Sequence, residues 1–393
     1  WLASQFSHYN LTELPPAIRN ILRLGIYQLY FLDNIPPWAA INEAVNLAKK
    51  FGHRGVSSLV NAVLRRAAAN KTKISYEQIQ DHPAEYISIV YSHPQWLVER
   101  WIKHYGQEQT IALARSNNEP PKLFLRVNVN KTTPTELITR LNRRGWQAYP
   151  GPHLPEAIWV ANPGDLTRLP EFSEGLFFIQ DEGSMMVSRA LAPEKGQLIL
   201  DACAGPGSKT THLAELIEDT GTIIALDINE GRLKLVRQNC QRLGLRCIGL
   251  QVGDARQAAN IFACEFDSIL VDAPCSGTGV LRRRPDARWK KTPALISELS
   301  RLQEEILAGV SPLLKPGGTL VYSTCSLEPE ENNLVVKSFL ERHPQFKLDS
   351  LAFPFEFQRR EDRESADQGF IQLFPHIHGT DGFFIARMKK KTR

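Results

Sequence analysis

Cysteine is scarce in this chain, with six in 393 residues, at positions 203, 240, 247, 264, 275 and 325. No C-x-x-C pair occurs among them, so the common zinc modules are excluded and no metal is expected. Six cysteines in a chain this long do not make a disulfide framework, and the default for each is a small buried hydrophobe. Also missing is any apolar run near the roughly 20 residues that span a bilayer, and no secretory leader is expected. A soluble cytoplasmic protein with no membrane partner and no obligate protein partner is the expectation. Charge of one sign is missing too. Lys and Arg number 47 against 42 Asp and Glu, a net +5 that leans only mildly toward polyanions. Repeats and low-complexity tracts are absent. Residue 1 is Trp1 and not Met, so a fragment or a processed form is expected.

What is present is apolar material, 42% of residues, enough for two or three packed domains. Residues 1–72 read as helices. Ile18, Ile21, Leu22, Leu24, Gly25, Tyr27, Gln28 and Leu29 recur at helical spacing, and Ile35-Pro36-Pro37 breaks the pattern. A second helix carries Ile41, Ala44, Val45, Leu47 and Ala48, and a third runs from Val56 to Arg66. Residues 73–172 read as a helical connector followed by a small α/β subdomain. Its strand is Leu123–Val129, its helix is N-capped by Thr133 with Pro134 in the first turn, and short strands follow near 146–149 and 157–160. Such a subdomain suits RNA recognition by shape. Residues 173–393 alternate β and α. Apolar runs at 198–202, 222–227, 248–252, 268–272 and 319–323 read as buried parallel strands, and 382–387 as a closing strand. This is the pattern of an open, doubly wound sheet, with its ligand at the carboxyl ends of the strands.

The first of those strands runs into Asp201-Ala202-Cys203-Ala204-Gly205-Pro206-Gly207-Ser208-Lys209-Thr210 and then a helix. A P-loop needs glycine where Ser208 and Cys203 stand, and a dinucleotide fingerprint needs a third glycine where Thr210 stands. S-adenosylmethionine fits better. It needs small residues for close backbone approach, an acid ending the second strand for the ribose hydroxyls, and a polar residue near the adenine. Asp227 and Asp254 occupy those two places, and Asp272 ends the fourth strand. A lone acid at a strand end is often a helix cap. Four of them, at 201, 227, 254 and 272, are expected to converge on one crevice.

Two cysteines stand at strand ends beside these acids. Asp272-Ala273-Pro274-Cys275-Ser276-Gly277-Thr278-Gly279 follows strand four, and Ser323-Thr324-Cys325-Ser326 follows strand five, leading into Glu328-Pro329-Glu330-Glu331-Asn332. Methylation of cytosine carbon 5 needs a thiolate that adds to carbon 6, a nearby methyl donor, and an acid or cation at the N3 edge. The residues themselves do not decide which cysteine attacks. Arg282, Arg283, Arg284 and Arg288 follow the first cysteine motif closely, with Trp289, Lys290 and Lys291, and are expected along an RNA backbone.

The two motifs together resemble the double-cysteine signature of RNA cytosine-5 methyltransferases. The segments Arg19–Leu29, Asn42-Glu43-Ala44-Val45 and Leu59–Arg65 resemble the later helices of the NusB family of RNA-binding domains. The combination resembles the RsmB (Sun/Fmu) family, which methylates bacterial 16S ribosomal RNA at cytosine 967. The resemblance implies a class I methyltransferase domain preceded by a small α/β subdomain and a NusB-like helical remnant, with ribosomal RNA as partner. It implies Cys325 as the nucleophile and Cys275 as the residue that helps the product leave. It places residues 203–209 (Cys203, Ala204, Gly205, Pro206, Gly207, Ser208 and Lys209), Asp227, Asp254 and Asp272 at the cofactor, with Lys209 and Asp272 also near the cytosine ring. A cation beside the reacting thiol would lower its pKa. The rival readings are a cytosine-5 methyltransferase of tRNA or DNA, and an RNA-binding protein with a dead methyltransferase fold.

Overall fold

Proline and apolar spacing explain the first elements. In the computed structural model, which describes residues 1–71, 76–161 and 164–392, helices span Pro16–Phe31, Pro37–Phe51 and Arg54–Ala69. Ile18, Ile21, Leu22, Ile26 and Leu29 form the buried stripe of the first, packed on Ala44, Ala48, Val60 and Leu64. Gly25 lets this packing close, since a Cβ there would lie 2.6 Å from a Leu64 methyl. Leu24 and Tyr27, expected on the same stripe, are exposed, because they fall outside its i, i+3, i+4 rows. Leu47 of the second helix is likewise exposed. The boundary expected between residues 72 and 73 lies outside the described residues.

The chain divides into two compact units, Trp1–Gln107 and Glu108–Arg393. The boundary falls inside helix Gln95–Ser116, just beyond Gly106, whose φ of +80° interrupts it. The second unit holds two sheets. The smaller contains β1 (Leu123–Val127), β2 (Gln147–Pro150), β3 (Ala157–Ala161) and β4 (Phe177–Ile179), antiparallel in the order β2-β3-β1-β4. Helix Pro134–Arg143 follows β1, with Thr133 and Glu136 forming a capping box. The fourth strand lies beyond residue 172, so this sheet draws on more chain than the sequence pattern assigned to it.

The larger sheet contains β5 (Leu198–Asp201), β6 (Thr222–Asp227), β7 (Ile248–Val252), β8 (Phe266–Asp272), β9 (Leu314–Thr324), β10 (Phe346–Leu348), β11 (Phe370–Leu373) and β12 (Phe383–Lys390). Its order is β10-β12-β9-β8-β5-β6-β7, with β11 paired to β12. Strands β5 to β9 are parallel, and β12 runs antiparallel to β9. Alternate residues feed cores on opposite faces. Ile199, Leu270 and Val321 face one, and Leu200, Ile269 and Tyr322 the other. Burial on both faces is why these strands read as continuous apolar runs. Short β10 and β11 escaped the sequence reading because three or four residues carry too little periodicity. From β5 the chain builds outward to β6 and β7, then returns to add β8 and β9 on the other side. The order reverses beside β5, so a crevice opens at the carboxyl ends there.

Candidate active site

The loop leaving β5 passes that crevice at close range. The Gly205 N–H donates to Asp227 Oδ2 at 2.9 Å, and the Asn229 N–H donates to Oδ1 at 2.8 Å. A Cβ on Gly205 would sit 2.4 Å from the Arg232 Cβ and 2.7 Å from the Asp227 carboxylate. Only glycine fits this approach. The Asp227 carboxylate is held at the end of β6 with acceptor capacity to spare. It lines a cleft of about 450 Å³ together with Cys203, Gly205, Asp254, Asp272, Cys275 and Cys325. Arg232 and Ile228 complete that wall and were not singled out from sequence.

Three of the four strand-end acids line this cleft. Asp201 does not, and the expectation that all four converge is corrected here. Its side chain is 1% exposed, and its Oδ2 accepts from Thr210 Oγ1 at 2.6 Å while Oδ1 has no side-chain partner among the described residues. Burial, with the nearby Asp272 charge adding to it, pushes this carboxyl up to about 7. Asp254 reaches the cleft but is also tied to Arg256 at 2.6 Å, which holds its carboxyl below the usual range.

Lys209, in the first turn of helix Ser208–Leu216, is 7% exposed and donates to Asp272 Oδ2 at 2.6 Å. Ser323 Oγ donates to the other Asp272 oxygen at 2.7 Å. Asp272 thus sits between a cation and a hydroxyl at the mouth of β8. Parallel pairing sets Asp272 opposite Ser323, so the loops carrying Cys275 and Cys325 leave the sheet side by side. Their sulfurs lie 3.3 Å apart. The Cys275 thiol is raised well above its ordinary value by the hydrogen bond to Cys325, by burial, and by the Cys325, Glu331 and Asp272 charges.

The arginines after Cys275 meet different fates. Arg282 Nε bonds Asp381 at 2.8 Å, and Arg283 pairs with Asp381 and, at 3.0 Å, with Asp181. Both acids are buried. Arg288 is 3% exposed and donates to the Asn118 side chain at 2.9 Å and the Asn117 carbonyl at 3.1 Å. The expectation that all four line an RNA backbone is corrected for Arg282 and Arg288, whose side chains are taken up inside the protein, while Arg283 is tied to the same acids but stays exposed. Arg284 is exposed, as are Trp289 and Lys290. Glu331, fully buried behind both cysteine loops, received no role from sequence although it lies in the acidic run after Cys325.

Among the described residues no group of His, Cys, Asp or Glu is arranged to hold a metal, and no helix is long and apolar enough to cross a membrane.

Comparison with known proteins places this geometry. The model of the 16S rRNA methyltransferase RsmB/F family matches residues 188–389, that of the NusB family residues 1–69, and that of the RsmF/B-like ferredoxin-like domain residues 93–167. The probable ribosomal RNA small subunit methyltransferase B of Bacillus subtilis is 40% identical, over 96% of this chain and 84% of its own. The ribosomal RNA small subunit methyltransferase B of Klebsiella pneumoniae is 37% identical, over 100% and 86%. A solved methyltransferase homologue from Pyrococcus horikoshii superposes with a TM-score of 0.68 at 32% identity, covering 81% of this chain and all of that one. A two-sheet unit with a cleft at its topological switch, a NusB-type helical start, and likeness along the full length lead to one assignment: this chain belongs to the RsmB/F family of 16S rRNA methyltransferases.

Proposed function

We propose that the chain transfers a methyl group from S-adenosylmethionine to carbon 5 of one cytosine in 16S ribosomal RNA, cytosine 967 in the family's reading, through a covalent Cys325–cytosine intermediate. The observation that carries this is the pair of thiols, 3.3 Å apart, opening on the same cleft as Asp227 and Asp272. The donor supplies an electrophilic methyl group when bound. Residues 203–209 and Asp227 fit its methionine and ribose parts, and Asp254 fits the adenine side, since the loop backbone is bare at Gly205 and Asp227 retains acceptor capacity.

Cys325 is the nucleophile in this reading. The two sulfurs lie 3.3 Å apart, and Cys275, whose thiol is raised well above its ordinary value, is in this reading the one that keeps its proton. The Cys325 thiolate adds to carbon 6, and carbon 5 gains the nucleophilicity to take the methyl group. Solvent water takes the carbon 5 proton, the C–H electron pair restores the double bond to carbon 6, and the bond from Cys325 to carbon 6 breaks with its electron pair returning to sulfur. Cys275 acts in this release. Lys209 and Asp272 bind the polar edge of the cytosine. Residues 1–72 and 73–172 select the ribosomal RNA in this reading, and residues 173–393 carry the chemistry.

Bisulfite sequencing of 16S rRNA from a strain lacking this gene tests the reading. Restoring the wild-type gene should restore one protected cytosine. Cys325→Ser should not, because a serine hydroxyl is far less ionised and less nucleophilic. Cys275→Ala should accumulate protein joined to methylated RNA, seen as a slow, nuclease-sensitive band on a denaturing gel. An adduct that forms only in Cys325→Ala would reverse the two roles, and 16S rRNA unchanged by the gene would sink the assignment.

A further inference from the structure

Sheet register brings the two cysteine loops side by side but does not by itself place their sulfurs in contact. We propose that Glu331 is the positioning residue that sets the spacing of Cys275 and Cys325, acting through the serine that follows each cysteine. This rests on the two-thiol reading above. Ser276 and Ser326 are both fully buried. The Ser276 N–H donates to Glu331 Oε1 at 2.7 Å, and its hydroxyl donates to Oε2. The Ser326 hydroxyl donates to the same Oε2 at 2.5 Å, and the two hydroxyl oxygens are 3.1 Å apart. One carboxylate therefore holds the neighbours of both cysteines.

The clamp is itself fixed from behind. Gln303 Nε2, on helix Pro293–Val310, donates to Glu331 Oε1 at 3.2 Å and to the Pro274 carbonyl at 2.9 Å, just ahead of Cys275. The Tyr322 hydroxyl donates to the Glu331 carbonyl at 2.6 Å and ties the turn to β9. Glu331 is 0% exposed and, among the described residues, lies within ion-pair distance of no Lys, Arg or His. A buried acid that only satisfied its own chain would take one loop's donors. This one takes donors from two loops 50 residues apart and from a helix packed on them. Its charge also adds to the forces that keep Cys275 a thiol.

Length should matter more than charge. Aspartate keeps the charge but is one methylene too short to reach both serines, whereas glutamine keeps the length and one acceptor oxygen. The experiment compares Glu331→Ala, Glu331→Asp and Glu331→Gln in the full chain by two readouts. The first is the rate at which diamide, which accepts two hydrogens from a thiol pair, closes a Cys275–Cys325 disulfide, read by peptide mass. The second is single-turnover methylation, with separate measurement of S-adenosylmethionine binding and of KM for RNA. Wild type should close quickly. Ala and Asp should close about tenfold or more slowly and lose about 100-fold in the single-turnover rate, while donor binding and KM stay within about twofold. Gln should recover most of both. If Ala fails to fold, the double variant Ser276→Ala with Ser326→Ala removes the same hydroxyls and should slow closure alike. Closure at the wild-type rate in Ala, Asp or the serine double variant overturns the proposal, as does an Asp variant that outperforms Gln. The arms separate the two claims. Methylation persisting in Cys325→Ser would sink the two-thiol reading, while the closure rate would still decide whether Glu331 sets the spacing.

Discussion

Asp201 shows how a single residue's setting overrides its place in a pattern. It ends β5 as Asp227 ends β6, yet its carboxyl is enclosed behind the loop, where Thr210 bonds one oxygen. Burial raises its pKa from 3.8 to about 7. The folded chain therefore holds a proton there that the unfolded chain has released, and stability falls as pH rises across that window. The group costs nothing below pH 3.8, and its full cost is present above about pH 7. Asp201→Asn should remove this dependence. Urea unfolding from pH 4 to 8 should show the variant gaining on wild type by a few kcal/mol as pH rises, with cofactor binding little changed. A constant difference across the range would mean that Asp201 is ionised throughout.

At the scale of elements, buried charge clusters join segments that the sequence keeps apart. Arg126 of β1 is fully buried and donates to Glu215 at 2.8 and 2.9 Å, to the Ser208 carbonyl at 2.6 Å and to Thr211 at 2.9 Å. The small sheet is thereby bound to the helix that carries Lys209. The turn after Cys275 is bound in the same way, through Arg282 and Arg283, to Asp381 before β12 and Asp181 after β4. Burial, with the Asp381 charge beside it, pushes Asp181 up to about 6. Removing Arg282 takes the donor from one oxygen of buried Asp381 while Arg283 still holds the other, so Arg282→Ala should cost about 1–3 kcal/mol in urea unfolding. Arg284→Ala should leave stability unchanged and lower the salt slope of RNA binding by about 0.7, one single-strand phosphate contact. An Arg282 variant as stable as wild type, or an Arg284 variant with an unchanged slope, would contradict this division.

For the whole molecule, every residue of the cleft, both cysteines and the small sheet belong to the unit Glu108–Arg393. A protein begun at Glu108 should bind S-adenosylmethionine as the full chain does. On ribosomal RNA it should methylate more slowly or lose choice of site, since the helices that match the NusB family are gone. Calorimetry for the donor and bisulfite sequencing of the product check the two halves separately. Equal rate and equal selectivity would reduce the helical unit to a passenger in catalysis.

The sequence by itself determined what is local. Apolar runs gave the parallel strands because both faces of the central strands β5, β8 and β9 are buried, and the loop after β5 and the two cysteine motifs are contiguous stretches whose chemistry needs no partner to be read. Helix starts such as Thr133-Pro134 were equally legible. Tertiary structure alone decided matters that depend on distant pairing. The arginines read as a basic face until Asp381, 99 residues beyond Arg282, and Asp181, 102 residues before Arg283, are brought against them. Glu331 read as one acid in an acidic run until Ser276, 55 residues earlier, arrived at its carboxylate. Periodicity reports which face of an element is buried, and not what is buried against it. That is set by strand order, and here the reversal beside β5 and the late insertion of β12 next to β9 put those partners in place.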